Sequence, residues 1–173
     1  MAANTTYFFT ASIHRFIPLL QNDALKLIII QSWQYLIEKK LISLYGYVIM
    51  PNHIHILWAL KKEFEKESPA EQFSKFTAHA FKKYLYTYHP EQLEKFKTVK
   101  ADREYQFWKR DPLAIPISTD DIFIQKLDYI HHNPIKEKWS LSKYPEDYRW
   151  SSANFYETGI DEFNIITHYR DSF

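Results

Sequence analysis

The sequence predicts a mixed α+β fold, and three observations point to it. Residues 44–60 form two apolar runs separated by a Met50-Pro51-Asn52 turn, as in a β-hairpin. Residues 24–40 and 69–88 repeat apolar side chains every three or four positions, which is typical of amphipathic helices. The predicted order is strand, helix, strand, strand, helix, strand, helix. The length of 173 residues suits one domain over 1–173, with a basic and aromatic tail from about residue 135.

Stretches rich in aromatic and β-branched residues predict the strands. Pro18 ends the first of them, because proline removes a donor from the ladder. Between the second predicted helix and the fourth strand, residues 91–102 are charged and weakly patterned, as expected for a solvated loop. The predicted strands cover residues 7–17, 41–47, 53–60, 105–108, 113–117 and 164–169.

Capping residues mark where the helices begin. Ser68, Pro69 and Glu71 form the strongest start, because Ser68 can cap, Pro69 suits the first helical position and Glu71 completes a capping box. That helix should run to about Tyr88, before His89-Pro90. The remaining predicted helices cover about 24–40 after Asn22 or Asp23, about 120–132 after Ser118 or Thr119, and a short turn after Ser151.

Composition excludes several kinds of site. The chain has no cysteine, so thiolate zinc sites, cysteine nucleophiles and disulfides are ruled out. It has only two glycines, so a glycine-rich phosphate loop is not expected. The net charge of +1 implies no global positive field, and nucleic-acid binding would need a local basic patch. We expect no signal peptide and no membrane span, and a cytoplasmic location fits the lack of cysteine.

His53 and His55 are the first candidate functional residues. In an extended strand they point to one side, opposite Ile54 and Ile56. Burying polar rings is costly unless they find partners. A divalent metal is a partner that both rings can share. Two core histidines satisfied by ordinary hydrogen bonds remain the alternative.

Tyr129 and Asn133 supply a second candidate pair. They are four residues apart on a predicted helix and therefore share a face. The asparagine oxygen can bind a hard cation, and the tyrosine can act as a nucleophile on a phosphodiester. His131 and His132 should point away from this face. A metal hydrolase that uses water, with Tyr129 merely packed, is a competing interpretation.

Two segments carry a resemblance to a known family. Residues 47–57, Tyr-Val-Ile-Met-Pro-Asn-His-Ile-His-Ile-Leu, resemble the HUH strand of single-tyrosine transposases. Residues 127–135, Leu-Asp-Tyr-Ile-His-His-Asn-Pro-Ile, resemble the tyrosine helix of the REP-associated tyrosine transposases (RAYT). The similarity extends from about Tyr7 to Phe155. Residues 135–139 depart from the family pattern because they lack glycine.

The resemblance implies a fold and a chemistry. The fold would be an antiparallel sheet with helices packed on one face, the ferredoxin-like or RRM-like HUH fold. His53, His55 and Asn133 would bind Mg or Mn, and Tyr129 would attack single-stranded or hairpin DNA to leave a 5′-phosphotyrosine and a free 3′-hydroxyl, followed by strand transfer. The protein would be a monomer or a homodimer in the bacterial cytoplasm, associated with the nucleoid when bound to DNA. The alternative is a domesticated, non-catalytic nucleic-acid-binding protein of the same fold.

Basic and aromatic residues outside these motifs are candidates for DNA contact. They lie before the last predicted strand pieces and in the tail, where cations alternate with aromatic rings. The candidates are Lys109, Arg110, Lys136, Lys138, Arg149 and Trp150.

Overall fold

Four strands form one antiparallel sheet in the computed structural model, which describes residues 5–61, 66–99 and 103–171. Strands β1 (Thr6–Ser12) and β3 (His53–Leu60) lie in the centre, and β2 (Ile42–Met50) and β4 (Leu113–Pro116) lie at the edges. The spatial order is β2-β3-β1-β4. The predicted hairpin is confirmed as β2 and β3, which pair antiparallel.

Two long helices cover one face of the sheet. Helices α1 (Asp23–Glu38) and α2 (Pro69–Tyr88) meet through Trp33 and Phe73, whose ring centroids are 6.1 Å apart. Trp33 also contacts Tyr47 of β2, which pairs with Ile56 of β3. The two long helices therefore cover the face of β3 that is opposite the two histidines, as the alternation of side chains predicts.

Helix α4 (Asp120–His132) lies on the other face, against the histidine side of β3. Because Gly46 of β2 has no side chain, α4 can approach this strand closely. A Cβ at this position would lie 2.5 Å from Cδ1 of Leu127. The register of β2 and β3 also shifts between Leu44 and Gly46, so the bulge and the missing side chain coincide. The predicted antiparallel α+β fold is confirmed. The helices do not all pack on one face as predicted, because α4 lies on the face that carries the histidines.

The helix starts follow the capping chemistry. Asn22 caps α1 by accepting a hydrogen bond from the Ala24 amide at 2.9 Å. Ser68 and Glu71 form the predicted capping box of α2. Thr119, rather than Ser118, caps α4, and Asn133 is the C-terminal cap of that helix. Two short helices complete the set, α3 (Pro90–Leu93) and α5 (Ala153–Thr158).

Several predicted boundaries are wrong. The first strand ends at Ser12 rather than Ile17, because the chain turns through left-handed backbone at Arg15 and Phe16. Residues 105–108 and 164–169 form no strand; they make isolated bridges and single hydrogen bonds to the sheet. Residues 90–96 are helical turns, held by buried Leu93 and Phe96, whereas 100–102 lie outside the described residues.

The outer edge of β2 is covered by the segment that follows Arg149. The Ile49 amide donates to the Trp150 carbonyl at 2.8 Å, and Ser152 exchanges hydrogen bonds with the backbone of Tyr47. The segment thus satisfies polar groups that an open edge would expose. Within the described part of the chain, no helix is both long and apolar enough to cross a membrane.

Candidate active site

The site is built on the histidine side of β3. His53 and His55 lie on one face of the strand, and their ring centroids are 4.8 Å apart. The ring of Tyr129, on α4, meets His55 edge-on at 5.2 Å. Phe8 of β1 stacks on His55 at 5.3 Å and supports the cluster from the neighbouring strand. The structure therefore brings three of the predicted site residues together.

Hydrogen bonds orient both imidazoles. Asn52 Nδ2 donates to the Phe16 carbonyl at 3.1 Å, so Asn52 Oδ1 is the atom that faces His53 Nδ1 at 2.7 Å. Because a carbonyl oxygen only accepts, the proton must lie on Nδ1 and the lone pair on Nε2 is free. His55 Nδ1 lies 2.7 Å from Thr10 Oγ1, a hydroxyl that can accept in the same way. Such outer partners fix the tautomer of metal-binding histidines.

Burial keeps both rings neutral. Desolvation, reinforced by the charge of Lys138, lowers the pKa of His53 from 6.5 to about 4. Desolvation, with help from His53 and Lys136, lowers the pKa of His55 to about 3. A neutral imidazole is the form that binds metal ions. Both histidines are thus in the ligating form at neutral pH.

Tyr129 is accessible, unlike most aromatic residues of the fold. Its side chain is 41% exposed, and its ring also contacts Phe8 at 6.0 Å. The Nζ of Lys136 lies 3.9 Å from the centroid of the tyrosine ring. A cation within 6 Å of a ring face is attracted by the ring quadrupole. The hydroxyl-bearing ring is therefore held between a histidine and a positive charge.

Asn133 follows Tyr129 by one helical turn and is 3% exposed. It does not line the pocket described below. Its Nδ2 is one of four buried side-chain atoms among the described residues that lack a hydrogen-bond partner. A half-turn of the side-chain amide exchanges its nitrogen and its oxygen. The position where the nitrogen lacks a partner is therefore one where the oxygen could bind a cation. No three His, Cys, Asp or Glu side chains of the described residues cluster as a metal site. A metal here would therefore need Asn133, substrate or water.

A pocket of about 400 Å³ opens at this cluster. Its lining contains no acidic side chain, which suits an anionic ligand. Sequence reasoning missed Thr10, Ser12, Phe16 and Asn52 as site residues, because their role depends on the strand register and on a turn. The lining residues are Thr10, Ser12, Phe16, Asn52, His53, His55, Tyr129, Lys138 and Trp139.

Three of the candidate DNA contacts lie at this pocket. Lys138 lines it, and Lys136 lies over Tyr129. Lys109 lies over the ring of Phe16 at 5.3 Å. Arg110 is exposed on the turn that follows Lys109.

Arg149 and Trp150 do not lie at the pocket. Arg149 makes a two-pronged ion pair with Glu162 at 2.9 and 2.5 Å, in a region that also carries Glu146 and Asp147. Trp150 is 4% exposed and stacks on Phe163, so its ring cannot receive a base. The prediction that Trp150 contacts DNA is wrong, because the ring completes the core beside α1.

The two histidines next to Tyr129 point elsewhere, as predicted. His131 is buried, and its Nε2 lies 2.8 Å from Ser152 Oγ. Burial lowers the pKa of His131 to about 4. His132 is exposed and hydrogen-bonds through Nδ1 to the carbonyl of Asp128. Neither belongs to the candidate site.

Comparison with known proteins supplies a strong structural match. No family model matches the chain, and no curated protein matches it significantly in sequence. Among solved structures, a REP-associated tyrosine transposase bound to a REP hairpin matches with a TM-score of 0.66 and 19% sequence identity. The match covers 93% of this chain and 84% of that one. The chain has the fold of the REP-associated tyrosine transposase.

Proposed function

We propose that the protein is a DNA transposase that cleaves and rejoins single-stranded or hairpin DNA, with Tyr129 as its nucleophile. The observation that carries the proposal is the contact between Tyr129 and His55 at the pocket that both histidines line. The fold is that of a transposase solved with a DNA hairpin. A tyrosine that is exposed at a metal-binding pair is suited to attack on a phosphodiester.

In the first step, Tyr129 Oη attacks the scissile phosphorus and its proton is lost. The bond from phosphorus to the 3′ oxygen breaks, and that oxygen takes up a proton to give a free 3′-hydroxyl. The 5′ side stays joined to the enzyme as a phosphotyrosine. In strand transfer, a new 3′-hydroxyl attacks the same phosphorus and the tyrosine leaves. The ester conserves the energy of the phosphodiester, so no ATP is required.

His53, His55 and Asn133 are the residues that would hold Mg or Mn. Two neutral imidazoles and an amide oxygen leave room for phosphate oxygens in the coordination sphere. A bound divalent ion supplies Lewis-acid polarisation of the scissile phosphate. Asn52 fixes the tautomer of His53, Thr10 hydrogen-bonds to His55 Nδ1, and Phe8 stacks on the His55 ring.

Lys136 is placed to assist the tyrosine. Its ammonium group lies against the Tyr129 ring, and burial and Lys138 lower the pKa of this lysine. Positive charge at this point stabilises the negative charge on the phosphate as the tyrosine attacks. Lys138, which lines the pocket, adds to the attraction of the DNA backbone.

A single chain brings together three of the four predicted site residues. His53, His55 and Tyr129 meet without a partner subunit, so we propose that a monomer acts with its own tyrosine. A dimer that exchanges tyrosines would instead restore activity when two inactive variants are mixed. Mixing His55→Ala with Tyr129→Phe should therefore give no covalent product.

The test is a covalent-trapping assay with hairpins from the DNA that flanks the gene. The protein is incubated with labelled hairpin and Mg or Mn, denatured, and inspected for a shifted band. The adduct should be lost in Tyr129→Phe and in His55→Ala, and kept in Tyr144→Phe, which alters an exposed tyrosine outside the pocket. Tight hairpin binding without an adduct would favour a non-catalytic binding protein. Cleavage that survives Tyr129→Phe would favour hydrolysis by water.

A further inference from the structure

Two aromatic side chains at the pocket have no part in the proposed chemistry. Phe16 is 55% exposed although it lines the pocket, and Trp139 lines it from the segment after α4. The ring of Trp139 also lies 5.6 Å from that of His53. Phe16 and Trp139 therefore offer aromatic surface to a ligand that fills the pocket.

Strained backbone holds Phe16 in this position. Arg15 and Phe16 both have left-handed φ angles, 57° and 55°. For residues other than glycine this conformation costs about 1–2 kcal/mol each. Two hydrogen bonds fix the turn: Phe16 N donates to the Ile13 carbonyl at 2.9 Å, and Asn52 Nδ2 donates to the Phe16 carbonyl. Asn52 also orients His53, so one side chain ties the strained turn to the candidate metal site. Such strain is concentrated at ligand clamps.

A cation lies close to each of three rings at the pocket, those of Phe16, Trp139 and Tyr129. Lys109 Nζ lies 5.3 Å from the ring of Phe16, and Lys138 Nζ lies 5.0 Å from that of Trp139. Lys136 stands over Tyr129. Since none of the lining residues is acidic, the pocket offers aromatic surface and positive charge together. A nucleotide is the ligand that carries both a flat ring and a negative charge.

We infer that this pocket is a nucleotide subsite that seats one unpaired base of the substrate strand next to Phe16 and Trp139. The phosphate of that nucleotide faces Lys136, Lys138 and Tyr129. A volume of about 400 Å³ lies within the range of small-ligand pockets and accommodates one nucleotide. The inference rests on the proposed function, and it assigns to two aromatic residues the placement of the base nearest the scissile phosphate.

Tryptophan fluorescence gives a test that needs no turnover. The chain has five tryptophans, and Trp33, Trp58, Trp108 and Trp150 are buried, which leaves Trp139 as the partly exposed one. The probes are a five-residue thymidine strand, dT5, and an abasic strand of the same length and charge, both with chelator present. dT5 should quench the fluorescence of the protein, and the abasic strand should not.

Three variants assign the signal. Trp139→Phe should abolish the quenching, and Phe16→Leu should weaken dT5 binding about fivefold or more, because stacking on one base is lost. Tyr86→Leu, which removes an exposed aromatic ring on α2 outside the pocket, should bind as the unaltered protein does. Thermal melts of each variant check that the fold is retained.

The outcomes separate this inference from the proposed function. Quenching that persists in Trp139→Phe, equal quenching by the abasic strand, or unchanged affinity in Phe16→Leu would overturn the subsite. If the subsite fails but the hairpin adduct at Tyr129 forms, the transposase chemistry stands. Quenching that requires Trp139 and Phe16, without an adduct on any hairpin, would keep the subsite and overturn the chemistry.

Discussion

Gly46→Ala tests how the fold positions the nucleophile. The added Cβ would lie 2.5 Å from Leu127 Cδ1, two residues before Tyr129 on α4. Relief of the overlap requires a separation of about 1 Å more, since carbon atoms reach optimal contact at about 3.5–4.0 Å. Overpacking costs about 1–3 kcal/mol, and alanine recovers about 0.5–1 kcal/mol in a strand. The expected net loss in the free energy of unfolding is about 1–2 kcal/mol.

The same displacement should affect catalysis. If α4 moves by about 1 Å, Tyr129 moves with it relative to His55, and a shift of that size can slow a reaction about 100-fold. The assay compares urea denaturation with the rate of covalent adduct formation on a hairpin. Gly159→Ala is the matched control, because φ is +79° there and a Cβ meets nothing within 4 Å. Gly159→Ala should lower the free energy of unfolding by about 1–2 kcal/mol without slowing formation of the adduct.

A second variant checks the cause. Leu127→Val removes Cδ1, so the Gly46→Ala/Leu127→Val double variant should recover much of the adduct rate lost in Gly46→Ala. The reasoning would be refuted if Gly46→Ala loses no more adduct rate than Gly159→Ala. In that case Leu127 turns aside, and the position of α4 does not depend on the missing side chain.

Further predictions concern the histidines, their outer partners and the charged surface. Without metal, the free energy of unfolding should fall by about 2 kcal/mol per buried histidine between pH 7 and pH 5. In the unfolded chain a histidine takes up a proton below about pH 6.5. In the folded protein His53, His55 and His131 stay neutral until about pH 4 or 3. Urea titrations in His131→Gln should show a smaller decline; an equal decline would contradict the assignment. Asn52→Ala should weaken Mn²⁺ binding about 10–100-fold by calorimetry, and unchanged affinity would remove the orienting role of Asn52. Lys138→Ala should lower hairpin affinity and reduce the salt slope by about 1, whereas Arg149→Ala, whose partner is Glu162, should change neither.

Residues close together in the sequence are sufficient to predict a helix start that they cap or a strand face that they form. The capping box at Ser68 and Glu71 and the alternation around His53 and His55 each depend on residues within a few positions, and the structure confirms both. The pairing of His55 with Tyr129 across 74 positions of sequence came from the family resemblance, not from composition or periodicity.

Tertiary contacts decided what local signals could not. Residues 105–108 look like a strand, but Trp108 is drawn into the core, where its Nε1 donates to Thr77 Oγ1 at 2.8 Å. Trp150 looks like a surface aromatic because arginine and serine flank it, yet its backbone closes the edge of β2. The sequence predicts that Phe16 is part of a strand, since nothing in its neighbours signals a left-handed turn. The role of Asn133 stays a prediction, supported by its orphaned amide.

The central claim is tested most directly by locating the DNA on the trapped protein. Trypsin cleaves after Lys126 and Lys136, so the peptide 127–136 carries Tyr129 as its one tyrosine. After nuclease trimming of the trapped complex, mass spectrometry should find a nucleotide phosphate on this peptide, joined through its 5′ phosphate. A nucleotide on a different tyrosine peptide, or a link through a 3′ phosphate, would contradict the account.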